Sequence, residues 1–196
     1  MPWSVTTEPT TEPLTTAEAK SHLRVVIDTE DTDIAAMVVA ARKIAERRTG
    51  RAFVTQTVTM KLDRLDELLE DGAIPMLPLA SVTSIAYLDS NGDSQTLAST
   101  QYVVDAVSLP ARIRPAYGVV WPQTRDQINA VTVVLVVGYG AASAVPADIK
   151  HAIRLILGSL YEYREDFISG TIIAEIPRAA NALLDSYRIP AAMAAV

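Results

Sequence analysis

The run from Val131 to Asp166 restricts the fold more than any other part of this 196-residue chain. Val131-Thr-Val-Val-Leu-Val-Val137 is strand-sized, β-branched and almost continuously apolar, which predicts a strand buried on both faces. Gly138-Tyr-Gly140 predicts a turn. A helix then begins at Pro146, with Asp148 where the helix dipole favours an anion. Ile149, Ala152, Ile153, Ile156, Leu157 and Leu160 recur at helical spacing as its buried stripe. The helix ends in the aromatic and charged residues Tyr161-Glu-Tyr-Arg-Glu-Asp166.

Upstream, the periodicity changes twice. Residues 1–13 carry three prolines, several threonines and two glutamates, and predict an extended N-terminal arm. A short helix over 15–24 follows, with Thr15 or Thr16 as its cap and Glu18 completing a capping box with Thr15. A second helix is predicted over 31–49. Its stripe is Ile34, Met37, Val38, Ala41, Ile44 and Ala45, while Arg42, Lys43, Glu46 and Arg47 fall mainly on the opposite face. Gly50 stands just past its end. From Val54 to Leu62 the period drops to 2, the mark of a strand. Val82–Leu88 and Tyr102–Asp105 predict further strands, and Asn91-Gly92 is the preferred pair for a tight hairpin. Helix resumes over 146–165 and 177–187, and Pro190 precedes an uncharged apolar tail, 190–196. Helices, then strands, then helices predict a mainly helical α+β chain: a small helical bundle over 14–189 with an antiparallel β-rich module inserted at about 53–140.

Composition narrows the function. The chain is 49% hydrophobic and 20% charged, enough to bury a core. Its net charge of −6 argues against a general basic surface for nucleic acid. With no cysteine, disulfides, thiolate metal sites and cysteine nucleophiles are excluded, and two histidines leave little for a histidine metal site. No segment has the make-up of a signal peptide or the length of a membrane span, so synthesis and use in a cytoplasm-like compartment are expected.

Candidate chemistry was weighed residue by residue. Asp89, Asn91 and Asp93 have the alternate spacing of a calcium loop, but the loop glycine is misplaced and Thr100 stands where the bidentate acid belongs. A hairpin turn accounts for the same residues. Asp148 and His151 form an i, i+3 acid–histidine pair with no nucleophile placed beside it, and His22 sits at a helix end where a cation is favoured. Gly138-Tyr-Gly140 lacks the lysine and third glycine of the phosphate-binding loops. No catalytic, cofactor or metal site is expected. The rival readings are a small hydrolase assembled from Asp148, His151 and Glu162, and a nucleic-acid-binding module.

Four segments, taken in order, carry a family resemblance. They are Leu14-Thr-Thr-Ala-Glu-Ala-Lys-Ser-His-Leu-Arg-Val25, then Ala45-Glu-Arg-Arg-Thr-Gly-Arg-Ala52. Leu77-Pro-Leu-Ala-Ser-Val-Thr-Ser-Ile85 follows, with Tyr87, Asp89, Gly92 and Tyr102. The last runs from Ile113-Arg-Pro-Ala-Tyr-Gly118 through Trp121-Pro122, Asn129-Ala-Val-Thr-Val133 and Gly138-Tyr-Gly140 to Val145-Pro146 and Tyr161. In this order the chain resembles the head–tail connector (adaptor, or head-completion) proteins of tailed bacteriophages, prophages and gene-transfer particles.

The resemblance implies a structural, non-enzymatic protein of the virion neck, made in the host bacterial cytoplasm and needing no cofactor. Family members form a ring under the portal protein, extend the channel through which double-stranded DNA passes, and dock the next head-completion (stopper) or tail protein. An acidic balance suits a channel through which DNA must slide. A ring matched to the portal's twelve-fold symmetry needs two different complementary patches on each copy. The exposed faces of helices 31–49 and 146–165 are the candidates, with Arg42, Arg47, Arg154 and Glu162 as rim charges. Tyr187 and Arg188, then Met193 and Val196 in the tail, complete the expected partner interface.

Overall fold

The computed structural model describes residues 3–69, 74, 76–163 and 177–189. The chain forms two units, one of residues 1–9, 55–139 and 189–196, the other of residues 10–54 and 140–188.

The first unit is built on β-sheet. Strands β1 (Trp3–Thr7), β2 (Gln56–Leu62), β3 (Leu79–Leu88), β4 (Ser94–Thr96) and β7 (Val131–Val137) form a five-stranded antiparallel sheet in the order β1-β2-β7-β3-β4. β5 (Tyr102–Asp105) and β6 (Arg112–Pro115) form a separate antiparallel pair. β7 is central and pairs with β2 from Gln56–Val137 to Leu62–Val131. Residues directly opposite share a face, so Val58, Met60 and Leu62 lie with Val131, Val133 and Leu135 on the buried side. Leu65 and Leu68, on a short 3-10 turn that packs against β6, are buried with them, as is Ile113.

β7 corrects one expectation. Its residues alternate between buried and half-exposed, so it is covered fully on one face only. On the second face Val134 and Val136 stand opposite Thr59 and Thr57 on β2 and opposite Ser84 and Ser81 on β3. Thr132 accepts a hydrogen bond there from Lys61 Nζ at 2.7 Å. Valine is β-branched and suits any strand, so its repetition reflects β-propensity as well as burial.

The β3–β4 hairpin turns at Asp89–Asp93. Gly92 N–H donates to the Asp89 carbonyl at 2.9 Å, and Gly92 holds φ 94°, a region that favours glycine. The Asp89 carboxylate accepts from the backbone N–H groups of Asn91 and Asp93, so it is occupied as a turn cap.

The second unit is helical: α1 (Thr16–Leu23), α2 (Asp31–Thr49), α3 (Ala147–Glu162) and α4 (Arg178–Asp185). At the start of α1, Thr15 Oγ accepts from Glu18 N–H at 3.2 Å and the Glu18 carboxylate accepts from Thr15 N–H at 2.8 Å, which closes the expected capping box. Gly50 ends α2 in the left-handed conformation. α3 buries Ile149, Ala152, Ile153, Ile156 and Leu157, while Leu160 is half-buried. α4 buries Ala180 and Leu184.

Two charged residues of α2 depart from the expected polar face. Arg42 and Glu46 are buried. They follow Val38 at i+4 and i+8, which places them beside the apolar stripe. Helix makes up 37% of the described residues and strand 25%, so the fold is α+β without a helical majority. Strand exceeds the expected share because β1 forms within residues 1–13 and β6 is a short pair partner with no alternation of its own.

Candidate functional site

The residues proposed for catalysis do not converge. Asp148, His151 and Glu162 all lie on α3. At 1.5 Å per residue, Asp148 and Glu162 are roughly 21 Å apart along its axis. Asp148 accepts from the Tyr187 hydroxyl at 3.4 Å, His151 is exposed, and Glu162 is exposed at the helix end. His22 is exposed at the end of α1. Among the described residues, no three histidine, aspartate or glutamate side chains gather as a metal site. Nor is any described helix long and apolar enough to cross a membrane.

The grooves of the helical unit are open and shallow. One of about 560 Å³ is lined by Leu14, Ala35, Val38 and Ala142 together with the hydroxyls of Thr15, Thr16 and Ser143 and the carboxylate of Glu12. Its one carboxylate, Glu12, is held by Arg42 Nε at 2.7 Å, and the methyl groups and hydroxyls around it offer packing with no histidine or lysine to activate them.

The residues expected at a partner interface are scattered. Arg42 is 1% exposed: its Nε donates to Glu12 at 2.7 Å and its Nη1 to Glu46 at 2.8 Å, so it offers no rim charge. Arg47 is exposed and its Nε reaches only the Lys43 carbonyl, at 3.4 Å. Arg154 is half-buried, 3.5 Å from the Glu18 carboxylate. Tyr187 is half-buried, and its carbonyl accepts from Arg51 Nε at 2.6 Å. Arg188 is exposed. Met193 and Val196 lie outside the described residues.

What the surface does present is apolar. Val103, Val107, Leu109, Tyr117, Val120 and Ile128 are exposed, all in the sheet unit from β5 to just before β7. Val103 stands opposite Arg114 on the β5–β6 pair, and Arg112 is bound to Asp105 at 2.7 Å. The helical unit exposes Val26 and Ile27, just before the acidic start of α2. Exposed apolar side chains of this kind offer contact area and no reactive group.

The chain matches known proteins in fold and not in sequence. Its sequence matches no family model and no curated protein. Its fold does match. A chain of the virion of the native gene transfer agent (GTA) particle superposes with a TM-score of 0.76 at 23% identity, over 96% of this chain and 95% of that one. The chain shares the fold of a gene transfer agent component. A chain in the neck of the empty GTA particle, computed with C6 symmetry, gives 0.75 at 23% identity over 96% and 95% of the two chains. One in the neck of the native particle, computed with C12 symmetry, gives 0.66 at 22% over 93% and 94%. Nearly the whole of each chain is covered, so both the sheet unit and the helical unit have counterparts in these structures.

The sequence reading missed the exposed apolar segment. A signal was present: between Tyr102 and Ile128 there are no lysines or glutamates, yet Val107, Leu109, Tyr117 and Val120 sit among turn-forming residues with no element to bury them.

Proposed function

We propose that this chain is a structural component of a virion neck: a head–tail connector that forms a ring beneath a portal protein, extends the DNA channel, and docks the next head-completion or tail protein. The observation that carries this reading is the fold shared, over nearly the full length of both chains, with chains of gene transfer agent virion and neck structures. The symmetric neck reconstructions among those structures support a cyclic arrangement, and twelve copies would match a twelve-fold portal. The separated carboxylates and histidine of α3 agree with a non-enzymatic role.

The test is to purify particles or neck complexes containing the tagged full-length chain and image them. Density for the chain in a ring between portal and tail, with portal protein co-purifying, is the expected result. A chain that never enters particles and is recovered only as a free monomer or two-fold dimer overturns the reading.

A further inference from the structure

Two segments of this chain that expose large apolar side chains oppose each other in net charge. Of the ten large apolar side chains exposed among the described residues, eight fall in two short segments. The first segment, residues 102–128 of the sheet unit, exposes Val103, Val107, Leu109, Tyr117, Val120 and Ile128. Its charges are Arg112, Arg114 and Arg125 against Asp105 and Asp126, a net of +1 in a chain of −6. Tyrosine and arginine present with little lysine or glutamate is the composition of interface cores. The second segment, residues 20–33 of the helical unit, exposes Val26 at 91% and Ile27 at 52%. Asp28, Glu30, Asp31 and Asp33 follow, opposed by Lys20 and Arg24, a net of −2. Lys20 ion-pairs with Asp28 and Asp31, and Glu30 accepts from the Tyr161 hydroxyl, whereas Asp33 is exposed on the first turn of α2.

We infer that the 102–128 surface of one copy docks on the 20–33 surface of a second copy of this chain. A cyclic head-to-tail assembly needs two unlike patches on each subunit, each the complement of the other. Apolar side chains supply the contact area, and arginine facing carboxylate fixes the orientation and disfavours pairing of like with like. Two 102–128 surfaces, or two 20–33 surfaces, would bring like charges together. Repeated from copy to copy around one axis, the pairing gives a head-to-tail ring. The inference rests on the ring reading above and names its contact. It replaces the buried Arg42 with Arg114, which is exposed beside Val103.

The test uses the full-length chain in purified particles, with ring occupancy read by imaging and by the ratio of this chain to portal protein. Tyr117→Asp/Val120→Asp places carboxylates where solvent-exposed apolar groups now stand. It should leave the melting temperature unchanged and lower ring occupancy by roughly tenfold or more. Arg114→Glu and Asp33→Arg should each weaken the ring. Combined in one chain they should restore it, because every interface then holds one reversed charge from each side. The inference falls if the apolar variant assembles like the wild type, or if the combined reversal is no better than either single change while wild-type rings form. If the wild-type chain forms no ring in particles, the ring reading fails, and this contact with it.

Discussion

Replacing Arg42 by alanine should be among the most damaging single changes in the helical unit, and pH should govern how damaging it is. Arg42 is 1% exposed and donates to Glu12 at 2.7 Å and to Glu46 at 2.8 Å. Glu46, itself buried, also accepts the Phe53 N–H at 2.9 Å. Arg42→Ala leaves the Glu46 carboxylate buried without its cation, which costs about 3–5 kcal/mol. Arg42→Met/Glu46→Gln removes both charges, lets methionine fill the space of the arginine stem, and keeps an acceptor for Phe53 N–H. Glu12, about a quarter exposed, can turn to water. The double variant should therefore be about 2 kcal/mol or more better than Arg42→Ala, read from urea midpoints at constant m-value. Burial is the main cause holding the Glu46 pKa above its ordinary value, against the pull of Phe53 N–H and Arg42. A raised glutamate favours folding in its protonated form. Its contribution is fully present below about pH 4.3, the unfolded value, and is lost as pH rises through the folded value. Arg42→Ala raises that value further, so its penalty should grow as pH rises above the unfolded glutamate value, and the growth should vanish with Gln at 46. A penalty under about 1 kcal/mol, or one independent of pH, would refute the reasoning.

Other outcomes are expected on the same grounds. Thr15→Ala opens the capping box of α1 and should cost about 1 kcal/mol, seen as a lower melting temperature, whereas Thr16→Ala should cost much less. The Asp105 carboxylate is held far below its ordinary range, first by Ser108 and then by Arg112. Its contribution should be present above about pH 4 and lost as pH falls, so Asp105→Asn should flatten the acid limb of the stability curve in thermal scans. His151→Ala should leave the fold and particle assembly intact, because the exposed imidazole has no catalytic partner beside it; loss of a measurable turnover on this change would contradict the reading. Deleting residues 190–196 should leave the melting temperature nearly unchanged yet weaken binding to portal rings, and Met193→Asp should reproduce much of the defect. Equal binding by the truncated chain would remove the tail from the interface.

How far the sequence discloses this protein depends on how local each determinant is. The Thr15–Glu18 box, the stop at Gly50 and the Asn91-Gly92 turn each depend on residues within a few positions of one another, and each forms where the sequence places it. Burial is less local. Val134 and Val136 look like core, but the residues that leave their face half-exposed are threonines and serines brought alongside from β2 and β3, more than forty positions away. Arg42 and Glu46 look like surface because they are charged. Their burial depends on Glu12, thirty residues earlier, and on the N–H of Phe53 beyond the helix end. The contact surface is less local still. An exposed valine or tyrosine can be told from a core one only after the fold has assigned every other apolar residue a neighbour. Once that is done, Tyr117 and Val120 remain in solvent in the segment that carries Arg112, Arg114 and Arg125, and Val26 and Ile27 remain in solvent just before Asp28 in the sequence. On the ring reading proposed above, the functional residues of this chain are this unassigned remainder. Such residues form no motif in sequence, and the arginines have to be sorted by burial before any can be given to a partner.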